Sequence, residues 1–142
     1  MVKAIQDLWI LTNAGIVLFN RVYDPKVSAQ LFGALMTALD SYSKEIGMGY
    51  GGINNFEIKN IRFTIFRNRN LLFVANSSKK FKEKKVLNEL DKISERFITK
   101  YSEFFNDFEN WNMEISMFSN FEEEIEDTLE NPVKKFWNGM IR

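Results

Sequence analysis

The chain has 142 residues, and its 19 lysines and arginines balance 19 aspartates and glutamates, so the formal net charge is zero. It contains no cysteine and no histidine, which excludes disulfides, thiolate or imidazole metal sites, and nucleophiles activated by histidine. Hydrophobic residues make up 45% of the sequence, enough for one domain with a packed core. These properties predict a protein that is not an enzyme and that needs no cofactor or metal.

No segment of the sequence has the pattern of a secretory or membrane-crossing element. Gln6 and Asp7 interrupt the apolar N-terminal stretch, which therefore lacks the core of a signal peptide. No apolar run approaches the roughly 20 residues that span a bilayer. We expect a soluble cytoplasmic protein that meets a membrane, if it does so, only at the membrane surface.

The first part of the chain predicts a hairpin followed by one helix. Residues 4–12 and 16–23 have strand patterns, and the turn between them contains a glycine. Asp24 and Pro25 form a typical helix start, and Gly47 forms a typical helix end. The helical spacing predicts that this helix faces the core with Val27, Leu31, Ala34, Leu35, Ala38, Tyr42 and Ile46.

Three further strands are predicted over residues 56–59, 61–67 and 71–75. Residues 8–11 and 71–75 are uninterrupted apolar runs, which are typical of strands that are covered on both faces. We therefore place the first and last strands side by side at the centre of the sheet. Trp9 and Phe73 should both be buried there.

Two helices are predicted to close the domain. The second begins with Ser119 and Glu122 in the spacing of a capping box and turns Phe121, Ile125 and Leu129 inward. Its acidic side chains then face solvent, without the pattern of a calcium-binding loop. The first of the two helices has a long apolar stripe that consists of Val86, Leu90, Ile93, Phe97, Tyr101, Phe104 and Phe108.

This order of elements predicts an α+β fold, a five-stranded antiparallel sheet in strand order 2-1-5-4-3 between one helix and two helices. Residues 1–131 form the domain, and residues 132–142 form a short amphipathic extension. Phe136, Trp137 and Met140 of the extension would contact a membrane surface or a partner, or pack on the domain itself. The apolar positions of the extension follow helical spacing: Val133, Phe136, Trp137, Met140 and Ile141.

The pattern resembles the longin domain of the longin/roadblock-like superfamily. The resemblance rests on LWILTNAGIVLFNR in the hairpin, IRFTIFRNRNLLFVANSS in the last strand pair and KKVLNELDKISERFITKYSEFF in the long helix. Roadblock domains usually begin with a helix, whereas this chain begins with a strand. The resemblance implies a non-enzymatic interaction module in vesicle trafficking or small-GTPase regulation. The implied partner is a small GTPase or a SNARE-like or adaptor-like segment.

Two apolar residues of the first helix fall outside its predicted core stripe. Phe32 and Met36 lie roughly 90 to 130° from the centre of that stripe on a helical wheel. With Phe56 and Ile58 of the third strand they would line a groove for a partner peptide, as the resemblance implies. A wide core that takes in Phe32 and Met36 is the alternative.

Five lysines occur within seven residues ahead of the long helix. Cations near a helix N-terminus oppose the helix dipole, so this pattern favours a functional role. The cluster would bind an acidic protein or a phosphoinositide, with nucleic acid the least favoured partner. The alternative is a solvated loop whose charges pair with nearby acids. The cluster consists of Lys79, Lys80, Lys82, Lys84 and Lys85.

Two further readings stay open. Residues 1–85 carry thirteen basic and six acidic side chains, and residues 86–142 carry six basic and thirteen acidic ones. Two copies could therefore pair as a homodimer through opposite charges, and Arg21 alone defends the predicted edge strand against such pairing. The other reading is a small-molecule-sensing domain of a related three-layer fold, which would require a closed apolar cavity.

Overall fold

The computed structural model describes residues 3–22, 25–49, 52–106 and 116–130. Five strands form one antiparallel sheet in the order β2-β1-β5-β4-β3, as the sequence predicted. The strands β2 and β3 are therefore the edges of the sheet. The bounds are Asp7–Thr12 for β1, Val17–Arg21 for β2, Asn55–Ile58 for β3, Ile61–Asn68 for β4 and Leu71–Ser78 for β5.

The centre of the sheet is buried on both faces. All of β1 is buried, and in β5 only Ser78 is partly exposed. Trp9 and Phe73 have no exposed surface and lie on these two neighbouring strands, which confirms their prediction. Because side chains alternate along a strand, Trp9 enters one core and its neighbour Ile10 enters the other.

The helices cover the two faces unequally. Helix α1, Pro25–Glu45, contributes to the core that contains Trp9. The opposite core, around Phe73, is covered by four shorter or later elements. They are α2 at Glu83–Lys100, α3 at Ser102–Asn106, a 3₁₀ helix at Ser116–Asn120 and α4 at Phe121–Ile125.

These closing elements are more broken than the sequence predicted. Helix α2 ends at Lys100, and the backbone of the next residue, Tyr101, leaves the helical region with φ −114° and ψ 27°. The predicted capping box does not form, since the Ser119 hydroxyl donates to the Ser116 carbonyl at 2.8 Å and the cap position Asn120 makes no side-chain cap bond. Phe121, Ile125 and Leu129 are buried as predicted. Phe108 lies outside the described residues.

Helix α1 ends in a hydrogen-bonded turn that requires a positive φ at Gly47. Gly47 has φ +87°, a conformation that costs a glycine little. The N–H of Met48 donates to the Ser43 carbonyl at 3.0 Å, and the N–H of Gly47 donates to the Lys44 carbonyl at 3.1 Å. This pair of bonds is a Schellman motif, which confirms the predicted helix end.

The face that α1 turns to the sheet is not the one predicted. Leu31 is 68% exposed, Tyr42 is 59% exposed and Ile46 is 50% exposed, although all three were assigned to the core. Phe32 and Met36, which were expected at the flank or outside, are 7% and 1% exposed. The helix is therefore rotated, and the alternative of a wider core is correct for Phe32 and Met36.

Three local contacts explain this rotation. Gly33 lies directly against the Gly15 carbonyl in the β1–β2 turn, where any larger residue would collide with backbone. The ring of Phe32 stacks on Trp9 with 4.1 Å between centroids and 12° between planes. The Asp40 carboxylate accepts a bond from Arg67 of β4 at 3.1 Å. Close packing at Gly33 and Phe32 and the Asp40–Arg67 ion pair thus determine which side of α1 faces the sheet. The helical spacing of apolar residues in the sequence reveals neither.

Candidate interaction surface

A row of apolar side chains runs along the outer side of α1 and onto the turn that follows. From Leu31 to Ile46 it extends about 22 Å along the helix. Of six large apolar residues exposed in the described part of the chain, five belong to this row, and Ile58 is the other. We call it the α1 stripe, and it consists of Leu31, Ala34, Leu35, Ala38, Tyr42, Ile46 and Met48.

The shape of the α1 stripe suits a tightly packed partner. Ala34 and Ala38 are small and exposed, and they lie between the larger Leu31 and Tyr42. Small residues at a contact allow another backbone to approach closely and leave depressions for large side chains. The Schellman motif adds Met48, 65% exposed, beyond the last helical turn.

The inner face of α1 is apolar too, so apolar residues occupy both sides of this helix. A helix that is hydrophobic all round is normally buried all round. Contiguous exposed apolar patches are uncommon on monomers and usually mark contact surfaces. The α1 stripe is therefore the strongest candidate for a docking surface in the described structure.

The predicted groove is only partly present. Phe32, Met36 and Phe56 belong to one core cluster, and the rings of Phe56 and Phe63 stack at 4.8 Å between centroids. The groove was wrong for Phe32 and Met36, because contact with the sheet uses up their apolar surface. Phe56 is half-buried, while Ile58 is exposed at the edge strand β3.

A polar cleft of about 670 Å³ opens where the two hairpin turns meet α1. Its Arg67 guanidinium bonds to the Asp40 carboxylate at 3.1 Å and to the Ile53 carbonyl at 3.3 Å, and so joins α1 to the loop before β3. This lining is not the closed apolar cavity that a small-molecule sensor would require. The cleft is lined by Asn13, Ala14, Asp40, Arg67, Asn68, Arg69, Asn70 and Leu71.

The lysine cluster is divided between paired and unpaired charges. Lys79 contacts Glu57 of β3 at 3.0 Å, and Lys85 contacts Glu89 at 3.9 Å. The other three lysines, at positions 80, 82 and 84, are exposed and take part in no ion pair among the described residues. The amine of Lys80 lies 5.3 Å from the ring centroid of Phe81. Two of the five lysines thus fit the alternative of charges paired with nearby acids, and the other three are available to an anionic partner.

Arg21 does not defend the β2 edge as the sequence suggested. The residue is 4% exposed and donates to the Gln6 carbonyl at 2.9 Å. It also pairs with Glu126 at 3.5 Å, so basic and acidic parts of the sequence meet within one molecule here. This contact weakens the argument that the charge asymmetry serves only pairing between copies.

The sequence predicts neither a metal site nor a membrane-crossing helix. Within the described residues, no group of three or more acidic side chains is placed to hold a metal ion. No helix in that part of the chain is long and apolar enough to cross a membrane. Phe136, Trp137 and Met140 lie outside the described residues, so their role stays a prediction.

Comparison with known proteins shows similarity at the level of fold. The sequence matches no protein-family model, and no curated protein matches it. Among solved structures, the Roadblock/LC7 domain from Streptomyces avermitilis matches with a TM-score of 0.52 and 15% sequence identity. The match covers 69% of this chain and 85% of that domain. At this level of identity the match shows a shared fold and does not single out the longin branch.

The sequence contained one usable signal for the α1 stripe. Phe32, Met36 and Leu39 lie on the side of α1 opposite or next to the residues first assigned to the core. Together the two sets occupy more than half of the helix circumference. One sheet face cannot cover that much of a helix, so a second contact surface could have been expected.

Proposed function

We propose that this protein is a non-enzymatic interaction module that binds a protein partner through the α1 stripe. The observation that carries the proposal is the exposure of Leu31, Leu35 and Tyr42 on one side of a helix whose other side is already buried. Covering such a row removes apolar surface from water, which is the main driving force of protein association.

The partner that fits best is a small GTPase or a SNARE-like or adaptor-like segment of a trafficking assembly. The sequence resemblance to longin domains and the superfamily fold both favour this class. The unpaired lysines at positions 80, 82 and 84 would add attraction to an acidic partner surface.

The direct test captures partners from the native host with three immobilised forms of the chain. Leu35→Glu places a charge in the α1 stripe, and Asn88→Glu adds the same charge at an exposed residue of α2, on the opposite face of the sheet. We expect the native chain and the Asn88→Glu variant to capture a common protein that Leu35→Glu loses. Its identity as a small GTPase is checked by exchanging GDP for a GTP analogue. Identical capture by all three forms would refute the α1 stripe as the interface.

The lysine cluster has a separate test. Reversal of two unpaired charges, Lys80→Glu with Lys82→Glu, should slow association with the captured partner. Added salt should slow the native chain in the same way, since exposed charges act over only about 8 Å at physiological ionic strength. Rates that respond to neither change would leave these lysines as solvated surface.

Pairing of two copies is the second candidate, and one observation favours it. The α1 stripe is nearly symmetric about Ala38, with Leu31 and Leu35 on one side and Tyr42 and Ile46 on the other. A two-fold axis at Ala38 would bring unlike ends of two stripes together, as an isologous interface requires. Light scattering over a dilution series decides: a constant mass near 16.7 kDa excludes the homodimer.

A further inference from the structure

The polar cleft lies at the end of the sheet where the β1–β2 and β4–β5 turns meet α1. Its volume of about 670 Å³ is in the range of sites that bind small molecules. Asp40, which lines the cleft, lies on the inner side of α1, whereas the α1 stripe lies on the outer side. A ligand in this cleft would therefore leave the α1 stripe uncovered.

The walls of the cleft are held in place by contacts within the domain. In the β1–β2 turn the N–H of Gly15 donates to the Thr12 carbonyl at 3.0 Å, and the turn packs directly against Gly33 of α1. At the end of β4 the Asn68 amide donates to the Ser94 hydroxyl of α2 at 3.3 Å. Because the walls are already ordered, little conformational freedom is lost when a ligand binds.

Arg67 presents unused hydrogen-bond donors to the cleft. Its bonds to the Asp40 carboxylate and to the Ile53 carbonyl are both made by one nitrogen, Nη2. Among the described residues, neither Nε nor Nη1 has a partner. Nε is buried and Nη1 is not, and the side chain keeps 29% of its surface exposed. The two N–H groups of Nη1 are thus available to an oxygen of a ligand.

Arg69 places a second cation at the cleft, in a backbone conformation that arginine rarely adopts. Arg69 and Asn70 form the two-residue turn between β4 and β5, with φ values of +50° and +64°. Asparagine, aspartate and glycine are preferred in such a turn, so Asn70 is ordinary there and Arg69 is not. Arg69 is exposed and takes part in no ion pair among the described residues. An arginine at a strained position without a stabilising ion pair favours a role in binding.

We infer that the cleft binds the oxyanion group, phosphate or carboxylate, of a small hydrophilic molecule. Arg67 and Arg69 outnumber the single carboxylate of the lining, Asp40, and leave one net positive charge. Guanidinium groups match the oxygens of phosphates and carboxylates in geometry and charge. The exposed amides of Asn13 and Asn70 would bond to hydroxyl groups on the rest of the ligand. This site is separate from the α1 stripe, and the inference does not depend on the proposed function.

Titration of the isotope-labelled full chain with ribose 5-phosphate tests the site, and ribose is the matched neutral probe. We expect saturable shifts of the backbone amide peaks of Asn13, Ala14 and residues 69–71, with a Kd of about 1 mM, which is ordinary for a ligand of this size. Ribose should shift none of them. Citrate offers carboxylates instead: the same shifts with citrate alone would assign the site to carboxylate ligands, and with ribose 5-phosphate alone to phosphate ligands. No saturable shift with either anion would overturn the inference.

Removal of single charges separates a site from general attraction to cations. Arg69→Gln should raise the Kd for ribose 5-phosphate at least about fivefold, because a charged donor of the site is lost. Lys80→Gln is the control, since it removes an exposed charge from the other end of β5 and should leave the Kd unchanged. Equal losses in the two variants, or shifts confined to the lysine cluster, would overturn the inference.

Asp40→Asn should have an effect of the opposite sign. The variant removes the negative charge from the lining, so ribose 5-phosphate should bind about threefold more tightly, even though the domain is less stable. The spectrum of the variant shows whether the fold is retained, and Arg69→Gln tests the site independently of it. If Asp40 only holds Arg67 in place, binding stays unchanged or weakens, and either result would overturn the inference.

Discussion

The two sides of α1 have similar apolar content and different structural roles. The inner side places Phe32 and Met36 in the core, and the outer side exposes Leu31 and Tyr42. What separates them is a glycine that fits against the Gly15 carbonyl and a carboxylate that reaches Arg67. The orientation of α1 is set by the close packing of Gly33 and by the Asp40–Arg67 ion pair. Its apolar content alone indicates only that both sides would be more stable when buried.

The largest expected effect comes from placing the same charge on the buried side and on the exposed side of α1, at two adjacent residues. Met36→Glu buries a carboxylate at a position that is 1% exposed. We expect the free energy of unfolding to fall by about 4 kcal/mol, enough to unfold a marginal domain. Leu35→Glu, one residue away, should change it by about 0.5 kcal/mol or less. Urea denaturation followed by circular dichroism measures both, and equal losses would show that the two sides do not differ.

Gly33→Ala tests the fit against the hairpin turn. In an exposed helix this change would stabilise by about 1 kcal/mol through helix propensity. Here the added methyl meets the Gly15 carbonyl, so we expect a net loss of about 1 to 2 kcal/mol. Ser41→Ala on the exposed side is the control and should not destabilise. A gain in melting temperature for Gly33→Ala would refute the close contact.

The Asp40–Arg67 ion pair can be weakened by a substitution that keeps the size of the side chain. Asp40→Asn keeps an acceptor for Arg67 and removes the charge, so we expect a loss of about 1 kcal/mol. Adding Arg67→Gln should cost less than the sum of the single changes, since the two residues interact. Strict additivity in this double-mutant cycle would indicate that the 3.1 Å contact contributes nothing.

Glu89 of helix α2 is a partly buried carboxylate, and its protonation affects the stability of the fold. Burial raises the pKa of Glu89 above its ordinary value of 4.5, although Lys85 opposes the shift. The folded state therefore favours the protonated form, and that stabilisation is lost as pH rises through the folded-state pKa. Glu89→Gln should raise the melting temperature slightly at pH 7, and this gain should shrink as pH falls from the raised folded-state pKa towards 4.5. A constant difference across that range would contradict the linkage.

The sequence specified the sheet better than the helices. Uninterrupted apolar runs at 8–11 and 71–75 identified the central strands, because only strands covered twice can be apolar throughout. The helical-wheel prediction of the buried side of α1 was wrong, because it assumes that a helix has a single apolar side. The capping box at Ser119 failed because the preceding residues already form a 3₁₀ helix, so Asn120 has helical dihedral angles and the start of α4 is not a separate helix end.

The stacking of Phe32 on Trp9 couples the stability of α1 to that of the core. Within the described residues, α1 is the helix that covers the Trp9 core, so unfolding α1 exposes that core as well. A partner that binds the folded α1 stripe must then stabilise the whole domain. At a free concentration one hundred times its dissociation constant it would add about 2.7 kcal/mol. Melting temperature alone could thus rank candidate partners before any of them is labelled or immobilised.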